Sequence, residues 1–131
     1  MRLTIRVDFG SDRSIGPGKI RLLEAIRKTG SISEAGRSLG MSYRRAWLLI
    51  DDLNDLFREP VVAAKQGGAR GGGTSLTPFG LELIEHYRAI ERQATKTSTA
   101  ALRELKAALR RKASRAAASR KTSIRAALAR D

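Results

Sequence analysis

The chain has 131 residues, enough for one domain with a modest hydrophobic core. It contains no cysteine, which excludes disulfides and thiolate metal sites. No apolar run approaches the ~20 residues of a membrane span, and residues 1–7 lack the continuous apolar stretch of a signal peptide. We therefore expect a soluble, cytoplasmic protein that does not bind membranes.

The charge is strongly positive and unevenly distributed. Lysine and arginine number 26 against 13 aspartates and glutamates, a net charge of +13. Such a charge favours a nucleic acid as the partner, and less often an anionic membrane surface. Residues 1–94 carry only +4 of it and residues 95–131 carry +9. Most of the charge therefore belongs to the C-terminal part.

The first elements are an N-terminal arm, residues 1–15, and a helix. Leu3–Phe9 alternates apolar and polar residues, which is typical of a half-buried strand, and Gly10–Asp12 ends it. Apolar residues then recur at helical spacing in Lys19–Lys28. Gly30 follows as a C-cap.

A helix-turn-helix pattern comes next. Hydroxyls and an acidic residue in Ser31–Ala35 begin a short helix that reaches about Leu39. Ser42 caps a longer helix from about Tyr43 to Phe57, and Pro60 ends this segment.

Strand periodicity replaces helical periodicity after this proline. Val61–Gln66 predicts a strand, Gly67–Gly73 a glycine-rich tip and Thr74–Leu76 the returning strand. Thr77-Pro78 starts a further helix with a cap and a first-turn proline.

Together these elements predict a mainly α fold with a small β-hairpin, a winged helix-turn-helix. The predicted DNA-binding domain covers residues 16–94. A long C-terminal helix or basic tail, residues 95–131, follows; it has too few large apolar residues for a core and is either helical or disordered.

The helix after Ser42 is the candidate reading helix. In a helix-turn-helix, the second helix directs its N-terminal residues at base edges in the major groove. Here that end is Ser42, Tyr43, Arg44 and Arg45. Arginine can bond guanine bidentately, and hydroxyls can bond phosphates or bases. The aspartates of Asp51–Asp55 lie at the far end, where they keep away from DNA.

The wing supplies further positive charge. Lys65 and Arg70 are placed to contact the phosphate backbone or the minor groove. The glycine-rich tip lacks the Gly-Lys-Ser/Thr ending of a nucleotide-binding loop. His86 is the only histidine, so a metal site is not expected, and no set of residues for catalysis is found. We expect neither an enzyme nor a cofactor.

Several of these residues have a structural alternative. Tyr43 and Trp47 lie one turn apart, so they either face DNA or pack against each other. Ser33 is either a DNA contact or a helix cap. The stripe Leu83, Ile84, Tyr87 and Ile90 fits a core, a dimer seam or both.

The motifs Gly30–Arg37, Gly40–Trp47, Asp52–Asn54 and the glycine-rich stretch running into Leu76–Gly80 resemble a known domain. They are similar to the N-terminal DNA-binding domain of the molybdate-responsive ModE regulators, which is itself similar to the LysR-type winged helix-turn-helix. The resemblance spans roughly residues 16–92.

The resemblance implies a homodimeric transcription regulator on a pseudo-palindromic operator, in which the first and last helices pair. It implies contacts to double-stranded DNA from Ser33, Ser42, Tyr43, Arg44, Arg45 and the wing around Lys65 and Arg70. ModE regulators continue into two small β-barrel domains that bind molybdate, whereas residues 95–131 show no strand pattern. We therefore do not expect this chain to bind molybdate.

Two alternatives remain open on the sequence. The chain could be a sequence-tolerant, nucleoid-associated DNA-binding protein in which the basic tail dominates, or an adaptor whose winged domain docks another protein. A sequence-specific regulator is the leading hypothesis.

Overall fold

A computed structural model of the chain describes residues 1–65 and 73–111. Arg2–Lys96 form one compact unit, and a second unit begins at Thr97. The mainly α fold with a small hairpin is confirmed. The elements in chain order are β1 Val7–Gly10, β2 Arg13–Ile15, α1 Pro17–Thr29, α2 Ile32–Ser38, α3 Tyr43–Leu56, β3 Val62–Lys65, β4 Gly73–Leu76, α4 Pro78–Thr97 and α5 Thr99–Ala107.

The hydrophobic core of the first unit is built from one face of each helix in it. Among the described residues of this unit, all buried side chains are apolar or aromatic, and each large one stabilises the fold by about 1.5–3 kcal/mol. Helices α1, α3 and α4 supply most of them: Ile20, Leu22, Leu23, Ile26, Ala46, Ile50, Leu53, Leu83, Ile84 and Tyr87.

Helix α1 confirms the predicted first helix and its C-cap. It begins at Pro17 rather than Lys19, since proline needs no hydrogen-bond partner in the first turn. Gly30 adopts a left-handed conformation with φ of 72° and donates its N–H to the Ile26 carbonyl at 2.8 Å. That conformation favours glycine.

The N-terminal arm differs from the prediction. A single strand over Leu3–Phe9 is wrong: the strand is Val7–Gly10, and it pairs antiparallel with Arg13–Ile15 in a hairpin. The turn places Asp12 at φ of 57°, a conformation that aspartate tolerates better than most residues.

The turn between α2 and α3 depends on a close approach of the two helices. A Cβ added to Gly36 would lie 3.0 Å from the Cβ of Ala46, and the Gly36 carbonyl accepts the Met41 N–H at 2.8 Å. Helix α2 is capped by Ser31, whose hydroxyl oxygen accepts the Glu34 N–H at 3.1 Å. The cap alternative for Ser33 is therefore wrong, because Ser33 lies inside the helix.

The wing is a two-stranded antiparallel hairpin anchored at both ends. Its register runs from Val62 opposite Leu76 to Lys65 opposite Gly73. The Thr74 N–H donates to the Gly30 carbonyl at 2.9 Å, which fixes the returning strand against the end of α1. The predicted tip, with Arg70, lies outside the described residues.

The start of α4 is fixed by two hydrogen bonds of one threonine. The Thr77 hydroxyl accepts the Gly80 N–H at 3.0 Å and donates to the Pro60 carbonyl at 2.6 Å, so the predicted cap is confirmed. A Cβ on Gly80 would overlap the Val61 carbonyl. The helix therefore packs directly on the chain that enters the wing.

Phe57 and Ile90 do not lie where the helical spacing of the apolar residues predicts them. Phe57 is not in α3; it is the C-cap, with an extended backbone, and its ring packs edge-on against Phe9 and Phe79. Ile90 is 46% exposed and does not belong to the core. Helix α5 belongs to the second unit, and residues 112–131 of the tail lie outside the described residues.

Candidate nucleic-acid interface

The first turn of α3 presents its polar side chains to solvent. Ser42 caps the helix with an extended backbone, and its hydroxyl oxygen accepts the Arg45 N–H at 3.1 Å. The O–H proton of Ser42 is still available for a phosphate or a base, since a hydroxyl both donates and accepts. Tyr43, Arg44 and Arg45 are exposed. Four of the predicted site residues are therefore together on one helical turn.

The charges of α3 oppose its own dipole. The N-terminus of a helix is electropositive and its C-terminus electronegative, so basic residues are favourable only at the end. Helix α3 has two arginines in its first turn, none in its last, and Asp55 in the last turn. The other four helices in the described part of the chain all have a basic residue in their last turn. Local helix stability does not explain this arrangement.

The two arginines also lack local partners. Positions three and four residues after Arg44 and Arg45 hold only Trp47, Leu48 and Leu49, so no pairing along the helix is possible. Within residues 1–65 and 73–111, neither guanidinium forms a salt bridge. This leaves two unpaired guanidinium groups on an electropositive helix end, an arrangement that favours an anionic ligand.

Tyr43 and Trp47 both pack together and remain at the surface. Their rings meet edge-on with centroids 6.1 Å apart, and 59% of Tyr43 and 40% of Trp47 stay exposed. The contact between the two rings therefore fixes their orientation and leaves both rings accessible to a ligand.

Ser33 and Lys65 lie on elements that flank α3. Ser33 is half-buried at the second position of α2, and Lys65 is exposed at the last position of β3, opposite Gly73. Among the described residues, no salt bridge or side-chain hydrogen bond joins either residue to Arg44 or Arg45. Their contribution to the interface stays a prediction, as does that of Arg70.

The buried face and the C-terminal end of α3 are fixed by contacts with the rest of the fold. Ala46, Ile50 and Leu53 are fully buried, and the Asn54 side-chain oxygen accepts the Val61 N–H at 2.8 Å. The Arg13 guanidinium donates to the Leu56 carbonyl at 3.2 Å, which satisfies one terminal carbonyl of the helix. A rigid scaffold of this kind keeps the exposed turn in a fixed position.

A second polar network connects α1 and α4. The Arg88 guanidinium bonds both carboxylate oxygens of Glu24, at 2.6 and 3.1 Å, and one oxygen of Glu91 at 2.8 Å. The hydrogen bond to Glu24 contributes most to raising the pKa of Arg88. Next to it, the Tyr87 hydroxyl donates to the Ile5 carbonyl at 2.7 Å, and burial raises the pKa of Tyr87. These hydrogen bonds connect α4 to α1 and to the N-terminal segment, so their role is structural.

The described residues also form clefts away from the first turn of α3. A cleft of about 470 Å³ is lined by Phe57, Arg58, Glu59 and Phe79. Within the described residues, no cluster of three histidine, cysteine, aspartate or glutamate side chains could hold a metal ion. No helix there combines the length and the apolar character needed to cross a membrane.

One surface residue of α3 was missed by the sequence reasoning. Leu48 is 52% exposed, although an apolar residue in a helix is normally assigned to the core. Its spacing of four from Arg44, and of two from each of the buried residues Ala46 and Ile50, is the signal that could have placed it on the outer face.

Known proteins are similar to the part of the chain that contains these elements. Residues 18–81 match the family described as bacterial regulatory helix-turn-helix protein, lysR family. The molybdenum transport protein ModE of Azotobacter vinelandii is 42% identical over 69% of this chain and 33% of its own length. The molybdenum-pterin-binding protein MopB of Rhodobacter capsulatus is 49% identical over 59% of this chain and 28% of its own length. The DNA-binding transcriptional dual regulator ModE of Escherichia coli K12 is 41% identical over 54% and 27%, respectively.

The chain thus spans about a third or less of the length of these relatives. A solved structure of a LysR family transcriptional regulator also overlaps 63% of the chain and 26% of its own, with a TM-score of 0.47 and 13% identity. The resemblance to ModE regulators is confirmed, and residues 18–81 are similar to the helix-turn-helix domain of the lysR family of bacterial regulatory proteins.

Proposed function

We propose that this protein is a sequence-specific transcription regulator that binds double-stranded DNA as a homodimer on a pseudo-palindromic operator. The single observation that carries the proposal is the first turn of α3, where two unpaired arginines lie on an electropositive helix end. The lysR-family match over residues 18–81 supports a DNA ligand for that turn.

In this proposal α3 enters the major groove with its first turn leading. Arg44 and Arg45 bond guanine edges or phosphates, and Ser42 donates its hydroxyl proton to a phosphate. The ring pair of Tyr43 and Trp47 lies against the groove wall. Ser33 on α2 and the wing around Lys65 and Arg70 contact the flanking backbone, where positive charge is favourable.

The homodimer matches two copies of α3 to two half-sites about one helical turn, ~34 Å, apart. Ile90 on α4 is a large apolar side chain that such a dimer would cover, since it is exposed beside the buried face of that helix. A regulator of this kind works at the chromosome, in the cytoplasm. Recognition of molybdate, catalysis and a cofactor are not part of the proposed function.

The test is selection of DNA by the full chain from a pool of genomic fragments at near-physiological salt. We expect enrichment of one motif with two-fold symmetry. The variant Arg44→Ala with Arg45→Ala should lose the enrichment. The matched control removes two exposed arginines elsewhere, Arg103→Ala with Arg110→Ala; it should keep the motif and lower affinity for all sequences alike.

Other results would redirect the proposal. Uniform binding without a motif, falling steeply with salt, would indicate a sequence-tolerant nucleoid-associated protein driven by the basic tail. Binding to a protein partner that survives loss of both α3 arginines would indicate an adaptor. A monomer at the concentrations that bind DNA, measured by sedimentation, would remove the homodimer from the proposal.

A further inference from the structure

We infer that Leu48 reads the C5-methyl group of a thymine in each half-site, close to the base contacted by Arg44. The inference rests on the proposed function, because it needs α3 in the major groove. It assigns to one residue a specificity that hydrogen bonding by the first turn does not supply.

The position of Leu48 on α3 is fixed by the buried face. Ala46 and Ile50, both fully buried, lie two residues before and after it, and two residues correspond to about 200° around a helix of 3.6 residues per turn. Leu48 therefore points away from the core. Arg44 lies four residues earlier on the same outer face, and Asp52 lies four residues later.

Leu48 belongs to an apolar patch that the fold does not need. Nine large hydrophobic side chains are exposed in the described residues, and three of them, Tyr43, Trp47 and Leu48, fall within six positions of α3. An isolated exposed leucine is common, but the first two turns of α3 expose three large apolar groups, and two of them, Tyr43 and Trp47, are in contact. The patch adjoins the arginines, so both surfaces would meet the same ligand.

The chemistry of the major groove restricts what a leucine can recognise there. On their major-groove edges guanine presents two acceptors, adenine presents an acceptor and an amino donor, and cytosine presents an amino donor. Thymine presents an acceptor and a methyl group. Leucine cannot hydrogen-bond, so covering a polar edge would leave that edge unsatisfied, and covering the methyl group would remove apolar surface from water. Thymine is the base that gains from this contact.

The spacing along the helix locates the thymine. Four residues of helix advance about 6 Å, and base pairs are stacked about 3.4 Å apart. The base that meets Leu48 therefore lies one or two base pairs from the base that meets Arg44. The acidic side chains that begin at Asp51 limit how much further the helix can stay in contact with DNA.

The experiment removes the methyl group from the DNA and the side chain from the protein. The full chain is first used to select its operator, and each thymine of the operator is then replaced by deoxyuridine. We expect each half-site to contain one thymine at which deoxyuridine weakens binding. Replacing it in one half-site should weaken binding about fourfold, and in both half-sites about 15-fold, because burial of a methyl-sized group contributes ~0.8 kcal/mol. The variant Leu48→Ala should bind the thymine and deoxyuridine operators equally at that position.

Two controls make the result specific. Leu105→Ala removes an exposed leucine from α5 and should keep the full sensitivity to deoxyuridine. Replacing the critical T·A pair by 5-methylcytosine·G should restore binding relative to cytosine·G for the wild-type chain, and not for Leu48→Ala. Thermal unfolding of Leu48→Ala is expected to match the wild type, because the side chain lies on the surface.

The outcomes separate the two proposals. If a motif is selected but Leu48→Ala and the wild type respond alike to deoxyuridine at every thymine, the inference about Leu48 is wrong and the regulator remains. If no motif is selected at all, the proposed function fails, and the inference fails with it.

Discussion

Replacing Arg44 and Arg45 by glutamine should change folding stability and DNA binding in opposite directions. Each arginine occupies the first turn of α3, where a positive charge is unfavourable by about 0.3–1 kcal/mol at low ionic strength. Neither has a partner three or four residues later to offset this cost. Glutamine has nearly the same helix propensity as arginine. The double variant should therefore gain about 1 kcal/mol in the free energy of unfolding.

Binding to the selected operator should fall in the same variant. A bidentate contact to a base discriminates by about 1–3 kcal/mol, so loss of two such contacts in a half-site amounts to at least a ~30-fold loss of affinity. Urea unfolding measures the first effect and fluorescence anisotropy with the operator measures the second. The stability gain should shrink when salt is raised to 1 M, because the helix-dipole interaction of exposed charges is screened.

A matched variant separates the dipole from general charge repulsion. Arg21→Gln with Arg27→Gln also removes two exposed positive charges, but from α1, and Arg27 lies in the last turn, where a cation is favourable. It should gain no stability from the dipole. The reasoning is refuted if the Arg44 and Arg45 variant is no more stable than this control, or if it binds the operator as tightly as the wild type.

Two further substitutions test the scaffold behind the site. Gly80→Ala should lower the free energy of unfolding by about 2 kcal/mol or more, the scale of an overpacked core, because its Cβ would overlap the Val61 carbonyl. Gly18→Ala should not lower it, because a Cβ at this position lies in open space. Urea unfolding compares the two variants. Tyr87→Phe should cost about 1 kcal/mol at pH 7 through loss of the hydrogen bond to Ile5. Because burial raises the pKa of Tyr87 above 10.0, its contribution is fully present below pH 10 and is lost as the pH rises through the folded-state pKa. The difference between wild type and Tyr87→Phe should therefore narrow above pH 10; a constant difference would contradict it.

Much of the fold could be predicted because helical and strand periods are strong signals. The buried stripe of α1, the caps at Gly30 and Thr77 and the paired strands of the wing all follow from local residue patterns. The N-terminal hairpin was missed, since its second strand, Arg13–Ile15, is too short to show any alternation. Its pairing is fixed by tertiary contacts, which a local pattern does not contain.

The part of the site that lies within one helical turn could be predicted from the sequence. Ser42 and the arginines after it fall in one turn, so the sequence places them together whatever the rest of the chain does. Ser31 and Ser33 could not be told apart as caps, because both precede suitable residues and only the backbone shows where α2 begins. The outer position of Leu48 could have been predicted from its spacing of two from Ala46 and Ile50, but only the structure shows that 52% of its side chain is exposed.

The missed hairpin bears directly on the interface. Helix α3 has charges at both ends that weaken it, so its stability must come from tertiary contacts rather than from its own sequence. Arg13 in β2 supplies a positive group at the Leu56 carbonyl, where the helix itself has only acidic residues. The hairpin thus provides from outside the C-terminal cation that α3 lacks. This frees the residues of α3 itself to carry the opposite pattern, basic at the first turn and acidic at the last, which fits the DNA-reading role that we propose for this helix.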